Sequence, residues 1–514
     1  MKRRHAYQIL AGICLLFLAA CAQVRSVSGG EKDVDPPQVI ASPHLKTGWT
    51  ASSFDIEFDE YVQVSNPKQQ LLVSPPLAQV QVKTTPKGIR VSWQDTLRTN
   101  TTYVFNFGEC ISDVHEGNIL SEYVCAFSTG SALDSCAIHG LVKIAERDSA
   151  AGNIRIFIHD TDSSYRKKGS KPLYSGRSNT TGEFSIPYLK PGTYFMSALS
   201  DDNNNARWDD GELMSLPQEI ELPDTNSHVL HLSRPINAKN TGISYRILGG
   251  QYYAAYVPRT RVLVSSTTDI GQTLPAYRNE DSVYWDIRGM EGSAWYAEYE
   301  GGLRDTIELQ RKPSEIFPII PHTPKRIGPS DTLFLLSPLP LDSVHASGFS
   351  IRCDSLTVPF SVQLRDQHQM LVTGNWIPGK KHLVTGSSGF LQSASSSSDS
   401  LNFAFEILNE KTSGGVQLML DSCLAGMGAQ RVLQVVSKTG GLVKALRLEE
   451  RMSITLPCLE IGEYRMFLLF DEDGNGVFTP CDPFLQHQAE RVIALESSIQ
   501  VRPNWMTSIR WGCR

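Results

Sequence analysis

IPYLKPGTYFMSALSDDNNNARWDDGE (186–212) and LPCLEIGEYRMFLLFDEDGNGVFTPCD (456–482) align without a gap, at a constant offset of 270 residues. Pro187 matches Pro457, Leu189 matches Leu459 and Gly192 matches Gly462. Tyr194 matches Tyr464, Met196 matches Met466, Asp201 matches Asp471 and Asn205 matches Asn475. Upstream, HGLVKI (139–144) and GGVQLML (414–420) stand as equivalent first strands. Each copy reads as a strand running into an Asp/Asn-rich turn. Repetition on this scale fixes the architecture, because each copy needs its own core.

The same strand signal extends outward. FDIEFDEYV (54–62), GIRVSW (88–93), TYVFNFG (102–108) and YVCAFS (123–128) alternate between apolar and polar residues. Alternation sends one set of side chains to a core and the other to water, which is the sandwich pattern. No convincing amphipathic helix is present. A chain of 514 residues exceeds one ordinary core, so several domains are expected. A weaker match joins DTLRTNTTYVFNFG (95–108) to GNWIPGKKHLVTG (374–386), and SSGFLQSASSSSDS (387–400) reads as a low-complexity loop. The expected class is all-β, with sandwiches in tandem.

The N-terminus carries the sharpest signal. Lys2, Arg3 and Arg4 precede a short apolar stretch from Ile9 to Leu18, which is too short to span a bilayer. It ends in Leu18, Ala19, Ala20 and Cys21. This resembles the lipobox of bacterial lipoproteins, which implies cleavage before Cys21 and acylation of that residue. Ala22, rather than Asp, follows the Cys, and by that resemblance the outer membrane is favoured. Several acyl chains on one Cys anchor firmly. Residues 22–36 are polar and Gly-containing, as a tether would be. They lack an early acidic run of the kind that resembles a surface-export signal, which tilts the expectation toward the periplasmic face.

Of ten cysteines, eight remain apart from Cys14 and Cys21. The envelope permits disulfides. Cys110 with Cys125 and Cys458 with Cys481 are plausible pairs, and free buried thiols are the alternative. No CxxC pair occurs, so zinc and thioredoxin-like chemistry lack support. The net charge is −6 and no basic run is present, so nucleic acid is not an expected partner.

GGEKDVDPP (29–37), FDIEFDEYV, LLVSPPL (71–77), LRTNTTYVFNFGECISDVHEGN (97–118) and FSTG (127–130) together resemble the SbsA-type bacterial Ig-like domain of Bacteroidetes-type lipoproteins. The repeated sandwich is similar to the Cna-B or carboxypeptidase-regulatory-like family, through the PGTY turn (191–194) and its strand. The resemblances imply tandem Ig-like and prealbumin-like β-sandwiches with a structural or adhesive role. They imply no catalytic residues. The expected order is a signal peptide (1–20), a tether (21–36), an Ig-like domain (37–130), a Cna-B-like sandwich (135–234) and a middle β module (238–312). A second Ig-like domain (313–409) and a second Cna-B-like sandwich (413–514) follow. The second Ig-like copy departs from the family pattern, with DTLFLLSPLPL (331–341) in place of an FDEY-like strand.

The Asp/Asn loops are the candidate metal sites. In the first, Asp201, Asn203, Asn205, Asp209 and Glu212 fall at positions 1, 3, 5, 9 and 12, the spacing of a 12-residue calcium loop, and Arg207 would offer its carbonyl at position 7. The second has Asp471, Asp473, Asn475 and, at position 12, Asp482. Ala206 replaces the turn glycine that Gly476 supplies in the second loop. Asx-rich turns that satisfy their own backbone are the alternative.

Asp followed by Ser or Thr and then an apolar residue recurs along the chain. This resembles the O-glycosylation sequon of Bacteroidetes envelope proteins. It implies modification at Thr96, Ser149, Ser282, Thr306, Thr332, Ser343, Ser355 and Ser400. Turn-to-strand chemistry explains the same triplets without a glycan.

HExxH, GxSxG, the P-loop and GxGxxG are all absent from the sequence, and His115 reads as a surface residue. Trp208, Tyr252, Tyr253, Tyr256, Trp285, Trp295, Tyr296 and Tyr299 could stack on sugars, although strand aromatics are more often core. The leading expectation is a non-catalytic, lipid-anchored envelope scaffold or adhesin-like protein. Its partners would be the outer membrane and an unknown envelope protein or glycan, with calcium as a possible cofactor. The alternatives are a glycan- or protein-binding accessory subunit of an outer-membrane machine, and a hydrolase whose site is hidden in loops.

Overall fold

The computed structural model describes residues 32–160, 171–209, 211–235, 244–248, 252–256, 263–268, 276–279, 282–286, 294–299, 303–308, 316–321, 324–337, 339–365, 367–393, 396–424, 430–449, 451–474, 476–481 and 487–512. Cys21 and the signal stretch lie outside them. The fold is all-β, built of tandem sandwich-like sheets. Among the described residues no helix is long and apolar enough to cross a membrane.

Contacts divide the chain into two units, the first made of residues 1–73 and 77–133. In it, Ser53–Phe58 lies between Val39–Ala41 and Gly88–Ser92, while Thr102–Asn106 pairs with Val124–Ser128. The alternation read in the sequence sends Phe54, Ile56 and Phe58 inward, where they meet Trp93, Tyr103, Phe105 and Phe127. Phe54 and Phe105 stand edge-to-face with centroids 5.0 Å apart, a favoured aromatic geometry. Asp113 accepts backbone N–H bonds from Glu116, Gly117 and Asn118 at 2.6–3.0 Å. The carboxylate therefore organises the loop that leaves His115 exposed.

The second unit contains both copies of the repeat, and the two have the same strand order. In the first copy, Cys136–Ile144 pairs antiparallel with Glu183–Leu189 and parallel with Ser227–Leu232. The facing sheet runs Tyr174–Arg177, Arg155–His159, Gly192–Leu199 and Gln218–Leu222. In the second copy, Ser413–Leu420 pairs antiparallel with Ser453–Glu460 and parallel with Met506–Trp511. Its facing sheet has Gln430–Ser437 between Leu442–Arg447 and Gly462–Asp471, which in turn pairs with Arg491–Ala494 and Ile499–Val501. Met196 and Met466 are both fully buried, as the matched pattern requires. The Tyr194 hydroxyl donates to the Lys190 carbonyl at 2.9 Å, and that of Tyr464 to Glu460 at 2.7 Å.

Between the copies, the described strands include Ser244–Leu248, Tyr252–Tyr256, Ser282–Asp286 and Ala276–Asn279, which form one sheet. Leu263–Thr268, Ala294–Tyr299 and Leu303–Glu308 form another. Further on, Phe349–Cys353, Lys381–Gly386 and Leu401–Ile407 pair over a core with Phe317, Ile351, Trp376, Phe390 and Phe405.

Two expectations need correction. The low-complexity stretch is not simply a loop: Leu391–Ser393 and Ser396–Ser398 pair within it. Ser393 and Ser398 are buried, and the Ser398 hydroxyl accepts the Leu391 N–H at 3.1 Å. Small hydroxylated side chains enter a core when the backbone satisfies them. The disulfide pairs proposed for Cys110, Cys125, Cys458 and Cys481 do not form, since all four are thiols. Cys423 is disulfide-bonded.

Candidate functional site

The strands Gly192–Leu199 and Gly462–Asp471 deliver the two Asp loops to the same place in each sandwich. In the first, the chain satisfies its own carboxylates. Asp201 accepts the Asn205 N–H at 2.9 Å and the Ala206 N–H at 3.1 Å. The Arg155 guanidinium, 2.5 Å away, neutralises it, and the Asp201 side chain has no exposed surface. Burial pulls the Arg155 pKa below its ordinary value, while the Asp201 charge opposes the shift. Asn203 and Asn205 donate side-chain N–H bonds to Asp209 at 2.7 and 2.6 Å. Arg207 donates its backbone N–H to Asn205. Glu212 spans the loop, accepting the N–H of Asp202 at 3.0 Å and of Asp209 at 2.8 Å. Burial raises its pKa above the usual carboxylate range. Ala206 holds φ of +56°, where the second loop has Gly476 at +81°, so the alanine accepts a conformation that glycine adopts without strain.

The second loop keeps the scaffold but moves the guanidinium: Arg447 donates to the Gly474 carbonyl at 2.7 Å, and its charge opposes the rise in the Asp471 pKa. Arg155 sits opposite Leu199 in the ladder, and the residue opposite Leu469, its counterpart at the 270-residue offset, is Val432. Asp471 is 1% exposed, and its Oδ2 accepts the Gly476 N–H at 2.9 Å. Its Oδ1 is buried and has no hydrogen-bond partner. The Thr479 hydroxyl donates to Asp473 at 2.8 Å. Asp471, Asp473 and Glu490 bring one oxygen each to within 4.8 Å of one another, an acidic cluster able to hold a cation. Burial, with Asp473 adding to it, raises the Asp471 pKa.

Glu490 was not among the expected ligands. It accepts the Glu472 N–H at 2.8 Å and the Thr479 N–H at 2.8 Å, the bonds that Glu212 makes to Asp202 and Asp209. Burial pushes its pKa up to about 7, and the neighbouring Asp473 and Asp471 act in the same direction. Glu490, beyond a longer connection, therefore does in the second loop what Glu212 does in the first. Asp482 and Asn475 lie outside the described residues.

The remaining expected sites are spread over the surface. Thr96, Ser355 and Ser400 are exposed, whereas Ser149, Thr332 and Ser343 are half-buried. The side chains of Ser282 and Thr306 lie outside the described set. Asp95, Asp331 and Asp399 each accept a nearby backbone N–H, and Asp148 and Asp354 adopt positive φ. Local turn chemistry thus accounts for Asp331 and Asp399, whereas Asp95 accepts from Ala78, 17 residues upstream. Trp208 is no open platform: it is half-buried and donates its indole N–H to the Glu212 carbonyl at 3.0 Å. Trp505, not among the expected aromatics, is 63% exposed. Apart from Tyr296, which is half-buried, the middle-module aromatics have side chains outside the described residues.

Residues 33–129 match the family model of a bacterial Ig-like domain. Residues 142–220 match a family described as an uncharacterized protein conserved in bacteria, rather than the Cna-B or carboxypeptidase-regulatory family. No curated protein matches the chain. Among solved structures, the N-terminal part of the bacterial S-layer protein SbsC is 12% identical, covering 39% of this chain and 44% of its own, with a TM-score of 0.15. The major pilin subunit BcpA of Bacillus cereus is 9% identical, covering 74% of this chain and 99% of its own, with a TM-score of 0.14. The BSP domain of a biofilm-associated protein is 9% identical, covering 88% and 96%, with a TM-score of 0.14. Such scores denote no whole-chain superposition, so these likenesses do not bear on what this chain does. The likeness that does bear on it is regional: residues 33–129 are similar to a bacterial Ig-like domain.

Proposed function

We propose that this chain is a lipid-anchored, non-catalytic scaffold or adhesin-like protein of a bacterial envelope. Its work is to hold a binding surface away from the membrane to which Cys21 is attached. The carrying observation is the succession of β cores behind an exposed segment at 32–36. A partner protein or glycan is bound by exposed features of these domains. Thr96, Ser355 and Ser400 are its accessible glycan acceptors. The test is metabolic labelling with a clickable fatty acid, followed by membrane fractionation. The parent chain is expected to label and sediment with outer membranes, and Cys21→Ser to do neither. A Cys21→Ser variant that still labels and sediments would sink the lipid-anchor reading.

The cation of the second loop is calcium. All three converging ligands are carboxylates, which suit a hard ion, and calcium tolerates the irregular geometry of a loop better than magnesium does. The Asp471 oxygen left without a donor supports this reading, because a buried carboxylate needs compensation. Calorimetric titration of the full chain with calcium tests it, and an absence of heat at millimolar calcium refutes it.

A further inference from the structure

We propose that the cation held by Asp471, Asp473 and Glu490 pins the segment from Thr479 to Cys481 into the first repeat, so that occupancy of the site sets how firmly the two sandwiches are joined. The inference rests on the calcium reading of the same loop and adds what that binding does.

Thr479 is the mechanical link. Its hydroxyl donates to Asp473 and its N–H donates to Glu490. Its carbonyl accepts the Glu490 N–H at 2.9 Å. Two of the three cluster carboxylates are therefore bonded to one residue. Two positions on, Cys481 is fully buried in a cluster with Phe157, Leu199, Met214 and Leu216 of the first repeat. Its N–H donates to the Ser233 hydroxyl at 2.8 Å, and its thiol lies 3.7 Å from the Met214 carbonyl. The receiving surface is preformed, because Met214 and Ser233 exchange two backbone hydrogen bonds at 3.0 Å. Trp208 of the first loop is packed on the same cluster. Beyond Glu490, the Ala494 N–H donates to Asp148 of the first repeat at 3.3 Å.

Contacts with the first repeat thus lie on both sides of Glu490. Without a cation, three carboxylates crowd together, and their repulsion is relieved by letting the Thr479 and Glu490 segments part. A divalent ion reverses that repulsion and ties both segments to Asp471, which is rooted in the ten-residue strand Gly462–Asp471. The first loop needs no such ion, since Arg155 already supplies the charge.

The experiment measures the rate of Cys481 alkylation by iodoacetamide in the detergent-solubilised full chain, with calcium or chelator, mapped by peptide mass spectrometry. Calcium heat is recorded on the same preparation. Calcium is expected to slow Cys481 modification about tenfold, as a ligand does when it suppresses local opening. Cys110 and Cys125 should not respond. Asp471→Asn, a near-isosteric change, should abolish both the heat and the protection. Ser233→Ala should raise Cys481 labelling in calcium while the heat persists. Calcium heat with no change at Cys481 would overturn the clamp and leave the cation site standing. No heat would overturn both. Protection that survives Asp471→Asn would overturn the assignment of the ligands.

Discussion

The two Asp loops occupy the same position in two sandwiches of the same strand order, yet they solve one electrostatic problem in two ways. Asp201 meets a guanidinium from the neighbouring strand. Asp471 meets Val432 at that position in the ladder and keeps an oxygen without a donor. A buried carboxylate is costly unless paired, so the internal cation of the first copy has as its counterpart, in the second, an acidic cluster able to hold one. The Asp/Asn spacing is thus shared by a closed turn and a cluster open to an ion. They differ in the residue on the adjacent strand, Arg155 against Val432, and in the longer return that brings Glu490 to the second loop.

The largest effect should come from breaking the internal pair. Asp201→Asn strands the Arg155 charge in a site where only 13% of its side chain is exposed. It should cost about 3 kcal/mol in urea unfolding of the second unit, with or without calcium. Arg155→Val copies the second loop into the first. It should cost a similar amount in chelator, and calcium should restore part of it. A variant that calcium does not help would show that the first loop cannot be opened to an ion by this change alone.

Asp471→Asn probes the other side of the comparison. In chelator it should be no less stable than the parent, because the change neutralises a buried carboxylate whose Oδ1 has no donor. In calcium it should lack the gain of about 2.7 kcal/mol that the parent shows at a hundredfold excess over its dissociation constant. Loss of stability in chelator would mean that Asp471 already has its compensation.

Smaller still is Trp208→Phe, which gives the first loop the side chain that Phe478 provides in the second. It removes the indole bond to the Glu212 carbonyl and should cost about 1 kcal/mol. The smallest expected signal is chemical. Burial raises Cys110 to about 11 and Cys125 to about 12, so at pH 8 both are almost wholly protonated and should alkylate slowly in native protein. Fast labelling of either would contradict the closed aromatic core of the first unit.

The sequence made the fold class legible because alternation is local. FDIEFDEYV announces which side chains turn inward, and the strand Ser53–Phe58 buries those side chains. The repeat was legible for a similar reason, since the strand and its loop are continuous in the chain. The chemistry was not. Arg155 lies far upstream of Asp201, and only strand register brings them together. Glu490 escaped notice because the second loop has a longer return, which a gapless alignment cannot follow. Residues 387–400 looked like filler, because serine composition does not show that a hydroxyl will find a backbone partner in a core.

The parallel pairing of first and last strands in each repeat has a mechanical consequence. His139 to Ile144 lies beside Ser227 to Leu232, and Gly415 to Leu420 lies beside Met506 to Trp511. Tension applied through the two ends of such a domain drags these strands in opposite directions along their length. The ladder bonds are then loaded together in shear, rather than peeled one at a time. Forced unfolding is governed by the height of the unfolding barrier, and shear raises that barrier. Pulled through its ends, each sandwich should yield only at high force, with its strength residing in the seam where its two terminal strands meet.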